Sequence, residues 1–320
     1  MMRNAQEKCL YCYKPLNESE TADFHPACSK KIFGTEKTPL LPYTKKQIYD
    51  LASDVIRSQT AITGAQPKLS LDLEKGDKDF PKRFTIIGLW GRYILKPQTE
   101  MYQNLPEFED LTMHLAELSG IKVVPHSLIR FEDKSLCYIT KRIDRNENGN
   151  KIHMEDMCQL TERLTEDKYK GSYEQIAKQI QQHSKMPGLD LIAFAEQLVF
   201  CFLTGNSDMH LKNFSLIKHN AGYQLSAAYD MLPTNLILSE DTEETALLLN
   251  GTKKKINKED FEKAFQTMKI DSKSVENIFE KFKKTVPDWF GFIDQSFLPE
   301  DMKKNYKTLV QKRAEKLRIL

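Results

Sequence analysis

The segment that most restricts the fold is residues 189–203, which is apolar on nearly every side of a helix. Such a helix must be covered by other elements, so the sequence predicts a buried central helix that ends at Gly205. The apolar run LIAFAEQLVFCFL within it is too short to span a bilayer, and Glu196 and Gln197 interrupt it. The N-terminal stretch MMRNAQEKCLYC lacks the apolar core of a secretory signal. We therefore expect a soluble, cytoplasmic protein.

The composition is that of an ordinary soluble globular protein. The 320 residues are 40% hydrophobic and 29% charged, and this length suits one large domain or two modest ones. The net charge of +2 gives no overall field that would attract nucleic acid or a membrane. The basic run at residues 253–255 is best interpreted as a solvated surface.

Three segments are predicted along the chain: a Cys/His-rich head at residues 1–34, a strand-rich segment at 35–150 and a mainly helical segment at 151–320. A sheet-rich half followed by a helix-rich half predicts an α+β fold with two lobes. A cleft between two lobes is a natural place for a ligand.

In the strand-rich segment the apolar pattern predicts four strands and one helix. Residues 84–87 and 93–95 are apolar runs joined through a glycine-containing turn, which predicts a hairpin. Residues 122–131 and 135–140 predict two further strands, joined by a charged turn. Residues 105–121 have apolar positions at helical spacing and a glycine suited to the C-cap, so they predict a helix.

Besides the central helix, the helical segment contains a second predicted hairpin and three further predicted helices. The runs FSLI and YQLS, separated by HNAG, predict the hairpin. Residues 258–285 predict two helices, and residues 299–318 predict a final helix with one apolar stripe.

The head has the spacing of a metal site. Cys9 and Cys12 are separated by two residues, as are His25 and Cys28. Two such ligand pairs can close a tetrahedral Zn²⁺ site, and in a reducing compartment clustered cysteines favour metal over disulfides. Because all four ligands come from the protein, we expect a structural zinc that stabilises a segment too short to have its own core.

The polar stretch GNSDMHLKNF follows the predicted central helix. Asp208 and Asn213 are five positions apart, and Asp230 comes after the second hairpin. Phosphoryl transfer needs a carboxylate at the attacking hydroxyl and oxygen ligands for Mg²⁺, and the Asp-x-x-x-x-Asn spacing matches a kinase catalytic loop. The spacing alone has little weight, because both residues are common in solvated loops. The buried helix before it and the hairpin with Asp230 after it favour the catalytic interpretation.

Two upstream features are candidates for nucleotide binding. Around Gly64, the stretch TAITGAQPKLSL could form an anion-binding loop, although a plain turn explains the same residues. Lys96 ends an apolar strand, where kinases place the lysine that contacts phosphates. Glu107 and Glu109 begin the following helix, so either could pair with this lysine. The alternative is an exposed lysine at a strand end.

Seven blocks occur in the order seen in the HipA-type kinases of bacterial toxin–antitoxin systems. They are GAQPKLSL, ILKP, LPEFEDLTMHLAELSGI, KRIDR, HMEDMCQ, GNSDMHLKNFSL and AYDMLPT. The chain resembles this family over roughly residues 55–260. The head, which ends in HPACSKKIFG, is similar to one found before shorter HipA-like kinases. The chain looks like the compact HipT-type form, in which a separate small HipS-like protein supplies the missing N-terminal subdomain.

The resemblance implies a two-lobed, protein-kinase-like fold that uses ATP and Mg²⁺ to phosphorylate Ser or Thr of a protein. Members of the family phosphorylate aminoacyl-tRNA synthetases and are countered by a HipB-like DNA-binding antitoxin. No direct binding to nucleic acid or to a membrane is expected of this chain. The alternatives are a kinase of a small molecule or lipid head group, and an inactive kinase-like binding module.

The resemblance also implies roles for particular residues. Asp208 would be the catalytic base, and Asn213 and Asp230 would hold Mg²⁺. Lys212 would act in catalysis beside the phosphates, with His210 next to it. The residues expected to contact ATP are those of the phosphate loop, Thr63, Gly64, Ala65, Gln66 and Lys68, together with Lys96 and the hinge residues Lys141 and Ile143.

One departure from the family concerns autophosphorylation. The family often modifies a serine three residues before the loop glycine, and here that position is Ala61. Compact members have another serine directly before the glycine, where this chain has Thr63. We therefore expect autophosphorylation on Thr63, with Thr60 and Ser58 as lesser candidates.

Overall fold

The computed structural model describes residues 8–17, 23–58, 68–74, 81–87, 90–238 and 242–320, except for the side chains of 52–58. These residues form two compact units, each of which is described by itself. The first unit comprises Met1–Asp110, Val124–Asn150 and Gln295–Phe297. The second comprises Leu111–Val123, Lys151–Asp294 and Leu298–Leu320.

The first unit is built on an antiparallel sheet. Its helices and strands are α1 (Pro26–Phe33), α2 (Lys45–Ser58), β1 (Leu69–Leu73), β2 (Phe84–Ile86), β3 (Tyr93–Pro97), α3 (Leu105–Leu118), β4 (His126–Arg130) and β5 (Leu136–Lys141). The part of α3 from Leu111 onward belongs to the second unit. Among the described residues the sheet has five strands in the order β2-β1-β3-β5-β4. The predicted strands β4 and β5 are confirmed as an antiparallel pair.

The predicted hairpin between residues 84–87 and 93–95 is wrong. Strands β2 and β3 pair with opposite edges of β1, so that Leu71 lies opposite Ile86 on one side and Tyr93 on the other. Gly91 permits this crossing, because a Cβ there would lie 2.5 Å from the backbone oxygen of Leu71. Its N–H donates to Ser70 Oγ at 3.0 Å. The glycine-containing stretch between the two runs therefore connects strands on opposite sides of β1 instead of forming a hairpin turn.

The predicted helix at 105–121 is confirmed as α3, and its C-cap is Gly120. This glycine has φ +71°, a left-handed conformation that suits glycine, and its N–H donates to Glu117 O at 2.9 Å.

The head packs into the core of the first unit. Leu10, Phe24 and Phe33 are buried in the same apolar cluster as Leu71 and Leu95 of the sheet. The Phe33 ring makes edge-to-face contacts with Phe24 and with Phe84 of β2, at centroid distances of 5.4 and 5.7 Å. The head therefore shares its apolar core with the sheet, which supplies burial that so short a segment lacks by itself.

The second unit combines helices with a small antiparallel sheet. Its elements are β6 (Met154–Asp156), α4 (Met157–Leu160), α5 (Tyr173–His183), α6 (Pro187–Thr204), β7 (Ser215–His219), β8 (Gly222–Leu225), α7 (Thr234–Ile237), α8 (Lys258–Thr267), α9 (Ser272–Gln295) and α10 (Glu300–Lys316). The strands lie in the order β6-β7-β8, and the predicted hairpin is confirmed as β7 and β8.

The predicted central helix is confirmed as α6. Most of its residues from Leu191 to Thr204 are buried, whereas Leu189 is 60% exposed. Its 18 residues are long and apolar enough to cross a membrane, but 61% of them are buried inside the unit, as in the core helix of a soluble protein. Gly205 ends the helix with φ +69°. A Cβ at Gly205 would lie 2.4 Å from the side chain of Leu309, so the end of the helix is closely packed.

The three predicted C-terminal helices are confirmed, although α9 is ten residues longer than expected. It continues through Pro287 to Gln295 because the apolar face persists beyond the proline, with Trp289 and Ile293 fully buried. The Trp289 ring N–H donates to Ser119 Oγ at 3.1 Å. Tertiary packing therefore outweighs the local cost of proline in this helix.

We predict opposite effects for alanine at two glycines. Gly91→Ala should lower the free energy of unfolding by about 1–3 kcal/mol, because its methyl group would overlap the backbone of β1. Gly291→Ala is the matched control in α9, where a Cβ meets no described atom within 4 Å, and it should raise stability by about 0.5–1 kcal/mol. Urea denaturation of both variants measures the difference. A fully stable Gly91→Ala protein would contradict the crossing described above.

Candidate active site

The polar stretch after α6 is anchored at its start. The N–H of Ser207 donates to Thr234 Oγ1 at 2.8 Å, and the N–H of Asn235 donates to Gly205 O at 2.9 Å. Residues 206–213, called here the 206–213 loop, then lead through a 3-10 turn into β7. The loop is therefore fixed to the end of the buried helix and to the start of α7.

Within this loop the carboxylate of Asp208 is oriented by Tyr169. The Tyr169 hydroxyl donates to Asp208 Oδ1 at 2.6 Å, and no described residue donates to Oδ2. The Asn213 side-chain N–H donates to the Asp208 carbonyl at 3.1 Å, which closes the loop on itself. In this orientation the amide oxygen of Asn213 is the atom able to act as a metal ligand. Sequence reasoning missed Tyr169, because it is 39 positions from Asp208 and belongs to no recognised pattern.

His210 is a neutral group at physiological pH. It is 6% exposed, and burial lowers its pKa to about 4, although Asp208 and Asp230 oppose this shift. Its ring lies edge-to-face with Tyr169, with 5.0 Å between the centroids. Within the described part of the chain, its buried Nδ1 has no hydrogen-bond partner. A neutral imidazole can therefore offer a hydrogen bond to a ligand without adding charge.

Lys212 is held by a carboxylate that the sequence analysis did not single out. Its Nζ lies 2.6 Å from Asp156 Oδ2. Asp156 also caps α4 by accepting from the Gln159 N–H at 3.0 Å, in a capping box. The carbonyl of Lys212 accepts a hydrogen bond from the Tyr229 hydroxyl at 3.0 Å. The Asp-x-x-Gln pattern inside HMEDMCQ is a recognisable capping signal that could have identified Asp156.

Asp230 lies close enough to His210 to affect its pKa, so the structure brings Asp208, His210, Asn213 and Asp230 together in the second unit. Asp230 has φ +57°, in the left-handed region that Asp tolerates better than most side chains. Backbone strain of this kind is concentrated at functional sites. The convergence of two carboxylates, an amide oxygen and an imidazole is suited to phosphates and a hard cation.

In the first unit, Lys96 forms a buried ion pair. Its Nζ lies 2.5 Å from Glu109 Oε1, and the two side chains are 5% and 3% exposed. Lys96 also lies over the Tyr138 ring, 5.4 Å from the centroid. Of the two predicted partners Glu109 makes the pair, whereas Glu107 accepts from the Asn104 side chain at 3.1 Å. Because Lys96 is buried, the alternative of an exposed lysine is wrong. A buried ion pair is costly to form, so it needs a structural or functional reason.

The predicted hinge is only partly available to a ligand. The N–H of Lys141 donates to Pro125 O, and that of Arg142 donates to Arg92 O, both at 2.8 Å. The N–H of Ile143 has no partner among the described residues. A base that contacts this backbone would therefore find its free donor at Ile143.

Much of the predicted phosphate loop lies outside the described part of the chain. Thr60, Thr63, Gly64, Ala65 and Gln66 lie outside the described residues. Two further candidates lie at the borders of this gap: Lys68, which is exposed, and Ser58, which ends α2 and whose side chain is not described.

The structure brings the four predicted metal ligands together. Ligand atoms of Cys9, Cys12, His25 and Cys28 all lie within 4.8 Å of one another. The His25 Nδ1 atom is 3.4 Å from Cys12 Sγ and 3.8 Å from Cys28 Sγ. Tetrahedral zinc with bond lengths of about 2.0 Å to nitrogen and about 2.3 Å to sulfur would separate a nitrogen and a sulfur by about 3.5 Å and two sulfurs by about 3.8 Å. The other ring nitrogen of His25 is 3.1 Å from Pro15 O, which leaves Nδ1 as the ligand atom.

The electrostatics of this cluster also fit a metal. Burial raises the pKa of the Cys12 and Cys28 thiols, and the nearby Cys9 adds to the effect. Without a cation these neighbouring groups resist forming thiolates, whereas a bound Zn²⁺ stabilises the deprotonated form. The four side chains, called here the Cys/His knuckle, therefore fit a thiophilic divalent ion.

Comparison with known proteins agrees with this architecture. The chain matches the family model of the HipA-like C-terminal domain over residues 60–290. A putative kinase of Haemophilus influenzae is 29% identical over 240 residues, which are 70% of this chain and 67% of that protein. The serine/threonine-protein kinase toxin HipA of Shewanella oneidensis is 27% identical over 200 residues, 56% of this chain and 44% of the toxin. The chain thus spans less than half the length of that toxin.

A solved structure shows the same fold. The HipA chain of the Shewanella oneidensis complex of HipA, HipB and operator DNA superimposes with a TM-score of 0.71 at 20% identity, covering 88% of this chain and 72% of that one. The predicted α+β, protein-kinase-like fold is therefore confirmed, and fold and relatives together define a kinase of the HipA type. The chain belongs to the HipA-like kinase family.

We predict that neutral His210 makes stability depend on pH. The unfolded side chain binds a proton near pH 6.5, but the folded one does so near pH 4. Stability from this group is therefore complete above pH 6.5 and falls as the pH drops toward 4. As the pH drops from 6.5 to 4, the free energy of unfolding of the metal-free wild type should fall by on the order of 1–3 kcal/mol more than that of His210→Gln. Urea denaturation at several pH values tests this.

The control for this experiment is His219→Gln, which alters an exposed side chain at the end of β7. This variant should follow the wild-type pH dependence. Parallel curves for the wild type and His210→Gln would contradict a neutral, buried His210.

Proposed function

We propose that the protein is an ATP- and Mg²⁺-dependent serine/threonine protein kinase. The observation that carries this proposal is the convergence of Asp208, His210, Asn213 and Asp230 in the second unit. The printed name of the Shewanella relative, a serine/threonine-protein kinase toxin, supports the choice of acceptor. The retained set of charged residues weighs against an inactive binding module.

Asp208 would accept the proton of the substrate hydroxyl through Oδ2, since Tyr169 occupies Oδ1. Asn213 and Asp230 would hold Mg²⁺ with hard oxygen ligands. The ion, when bound, neutralises charge on the phosphates. Positioning of the hydroxyl relative to the phosphate is then the main contribution of this loop.

Two further side chains of the 206–213 loop would face the phosphates. Lys212 supplies positive charge, and its pairing with Asp156 fixes where that charge lies. His210, neutral at pH 7, would contribute a hydrogen bond through Nδ1. Of the pair, Lys212 thus carries the electrostatic role.

On the nucleotide side, Lys96 would contact ATP phosphates from its ion pair with Glu109. Ile143 would meet the adenine through its backbone N–H, and Lys141 would border the same hinge. The phosphate loop would comprise residues 63–66 and Lys68. We keep Thr63 as the proposed site of autophosphorylation, with Thr60 and Ser58 as lesser candidates.

The proposed biological role is that of a toxin. The Shewanella HipA structure contains HipB and operator DNA, which supports a HipB-like DNA-binding antitoxin as a partner of this chain. An aminoacyl-tRNA synthetase is the proposed substrate, and a small HipS-like protein is the second proposed partner. We also propose a structural Zn²⁺ in the Cys/His knuckle, for which the four convergent donor atoms are the support.

Replacing either central carboxylate should abolish phosphate transfer. Asp208→Ala removes the proton acceptor and Asp230→Ala removes a metal ligand, and each loss should cost at least about 10²–10³ in rate. Transfer of labelled phosphate from ATP to protein in a cell lysate measures the activity, and circular dichroism confirms folding. The matched control is Asp288→Ala, an exposed position in α9. Full activity of both active-site variants would refute the proposal, and label in small molecules alone would indicate a metabolite kinase.

Removing the Tyr169 hydroxyl should slow turnover without weakening nucleotide binding. Tyr169→Phe leaves the ring against His210 but frees Asp208 Oδ1. A hydrogen bond to a charged group contributes about 1.5–3 kcal/mol, so kcat should fall about tenfold or more while KM for ATP stays constant. The comparison variant is Tyr173→Phe, whose lost bond goes to the Met209 carbonyl and should mainly reduce stability. An unchanged kcat for Tyr169→Phe would refute this role.

A further inference from the structure

The residue after the second cysteine of the Cys/His knuckle has an unusual backbone. Tyr13 has φ +61°, although bulky side chains rarely adopt the left-handed region. The turn is tight, since the Tyr13 N–H donates to Cys9 O at 3.0 Å and the Cys9 N–H donates to Lys14 O at 2.9 Å. Glycine would adopt this conformation without strain of the order of 1–3 kcal/mol. A tyrosine here needs a reason that lies in its side chain.

The side chain of Tyr13 reaches from the knuckle to helix α3. It is 1% exposed, and its hydroxyl donates to Asp110 Oδ2 at 2.7 Å. The ring lies edge-to-face with Phe297 at 5.1 Å, which fixes its direction. Asp110 is fully buried, and its other oxygen is 2.7 Å from His126 Nδ1. A buried carboxylate depends strongly on such partners, because it cannot be solvated by water.

From Asp110 two routes lead to the candidate nucleotide lysine. Along the backbone of α3, the neighbouring residue is Glu109, the ion-pair partner of Lys96. Through space, the His126 ring stacks on the Tyr138 ring, with 5.9 Å between the centroids. The Nζ of Lys96 lies 5.4 Å from the centroid of the same Tyr138 ring. Glu109 of the buried ion pair therefore adjoins Asp110 in α3, and Lys96 is linked to Asp110 through Tyr138 and His126.

We propose that Tyr13 couples metal binding in the Cys/His knuckle to the position of Lys96. A thiophilic divalent ion such as Zn²⁺ would hold Cys9 and Cys12, and with them the strained turn that aims Tyr13 at Asp110. Tyr13 is thus a positioning residue, and the knuckle is more than a clamp on the head. The effect on nucleotide binding rests on the proposed function, whereas the effect on α3 does not.

Metal is needed because the strain must be opposed. The turn at Tyr13 is closed by two backbone hydrogen bonds, and the knuckle adds four ligand bonds when it is loaded. Once the ion is removed, the backbone can relax toward negative φ. The Tyr13 hydroxyl then leaves Asp110, and α3 loses the contact that fixes it at the position next to Glu109.

The test compares wild type with Tyr13→Phe, which keeps the ring against Phe297 and removes the hydroxyl. The control is Tyr11→Phe, which lies between the two cysteines Cys9 and Cys12 and whose ring lies under the Lys31 side chain. Each protein is measured as purified and after zinc has been removed by a chelator. The readouts are zinc per chain, affinity for Mg²⁺ with a non-hydrolysable ATP analogue, and amide hydrogen exchange of residues 105–118.

We expect all three proteins to retain one zinc per chain. Tyr13→Phe should bind the nucleotide about tenfold more weakly, within the usual range of coupling between sites, and exchange faster in residues 105–118. Zinc removal should produce the same changes in the wild type and in Tyr11→Phe. In Tyr13→Phe it should add little, because the connection is already broken.

Three results would overturn the proposal. The first is a purified wild type that contains no zinc. The second is a Tyr13→Phe protein whose residues 105–118 exchange at the wild-type rate. The third is a zinc removal that lowers nucleotide affinity equally in Tyr13→Phe and in the wild type. If the wild type binds no nucleotide, the proposed kinase function fails instead. Exchange of residues 105–118 then still decides whether Tyr13 couples the knuckle to α3.

Discussion

The burial of α6 is the constraint on which the second unit depends. An apolar helix of this kind is stable only when other elements cover it. The Phe194 ring lies against Phe214, with 5.0 Å between the centroids, and the Phe202 ring lies against Phe261 at 5.4 Å. Phe214 stands immediately after the 206–213 loop, and Gly205 stands immediately before it. The polar loop is therefore held at both ends by the same apolar core. This arrangement gives a rigid support to side chains whose positions determine their chemistry.

Local sequence patterns predicted five of the ten helices in the described residues and most of the strands, because each of these depends on neighbours in the chain. The β2–β3 hairpin failed for the opposite reason. Its pairing partner β1 precedes both strands, and the glycine that permits the crossing looks like an ordinary turn signal. Tyr169 was likewise invisible as a site residue, since it meets Asp208 only across the fold. Asp156 had a local capping signal, but its pairing with Lys212 also forms only across the fold. The length of α9 was underestimated, because burial of Trp289 offsets the effect of Pro287.

Two left-handed residues illustrate how the fold stores local strain where side chains have defined partners. Tyr13 carries its strain next to the Cys/His knuckle, and Asp230 carries its strain beside His210. Neither position needs its residue for backbone reasons, since glycine would suit both better. In each case the side chain accounts for the choice, through a hydrogen bond at Tyr13 and through the electrostatics of the loop at Asp230. Sequence patterns alone do not reveal such positions, because φ is set by the surrounding structure.

The participation of residues 295–297 in the first unit has a consequence for biosynthesis. Lys8 donates to the carbonyl of Ser296, 288 positions later, and Tyr13 packs against Phe297. Contacts of such separation form slowly and cannot form at all before the later segment has left the ribosome. The head therefore leaves the ribosome long before residues 296 and 297, whose contacts complete its packing. A nascent chain would thus hold this unit in an incomplete state until residues 295–297 have been synthesised.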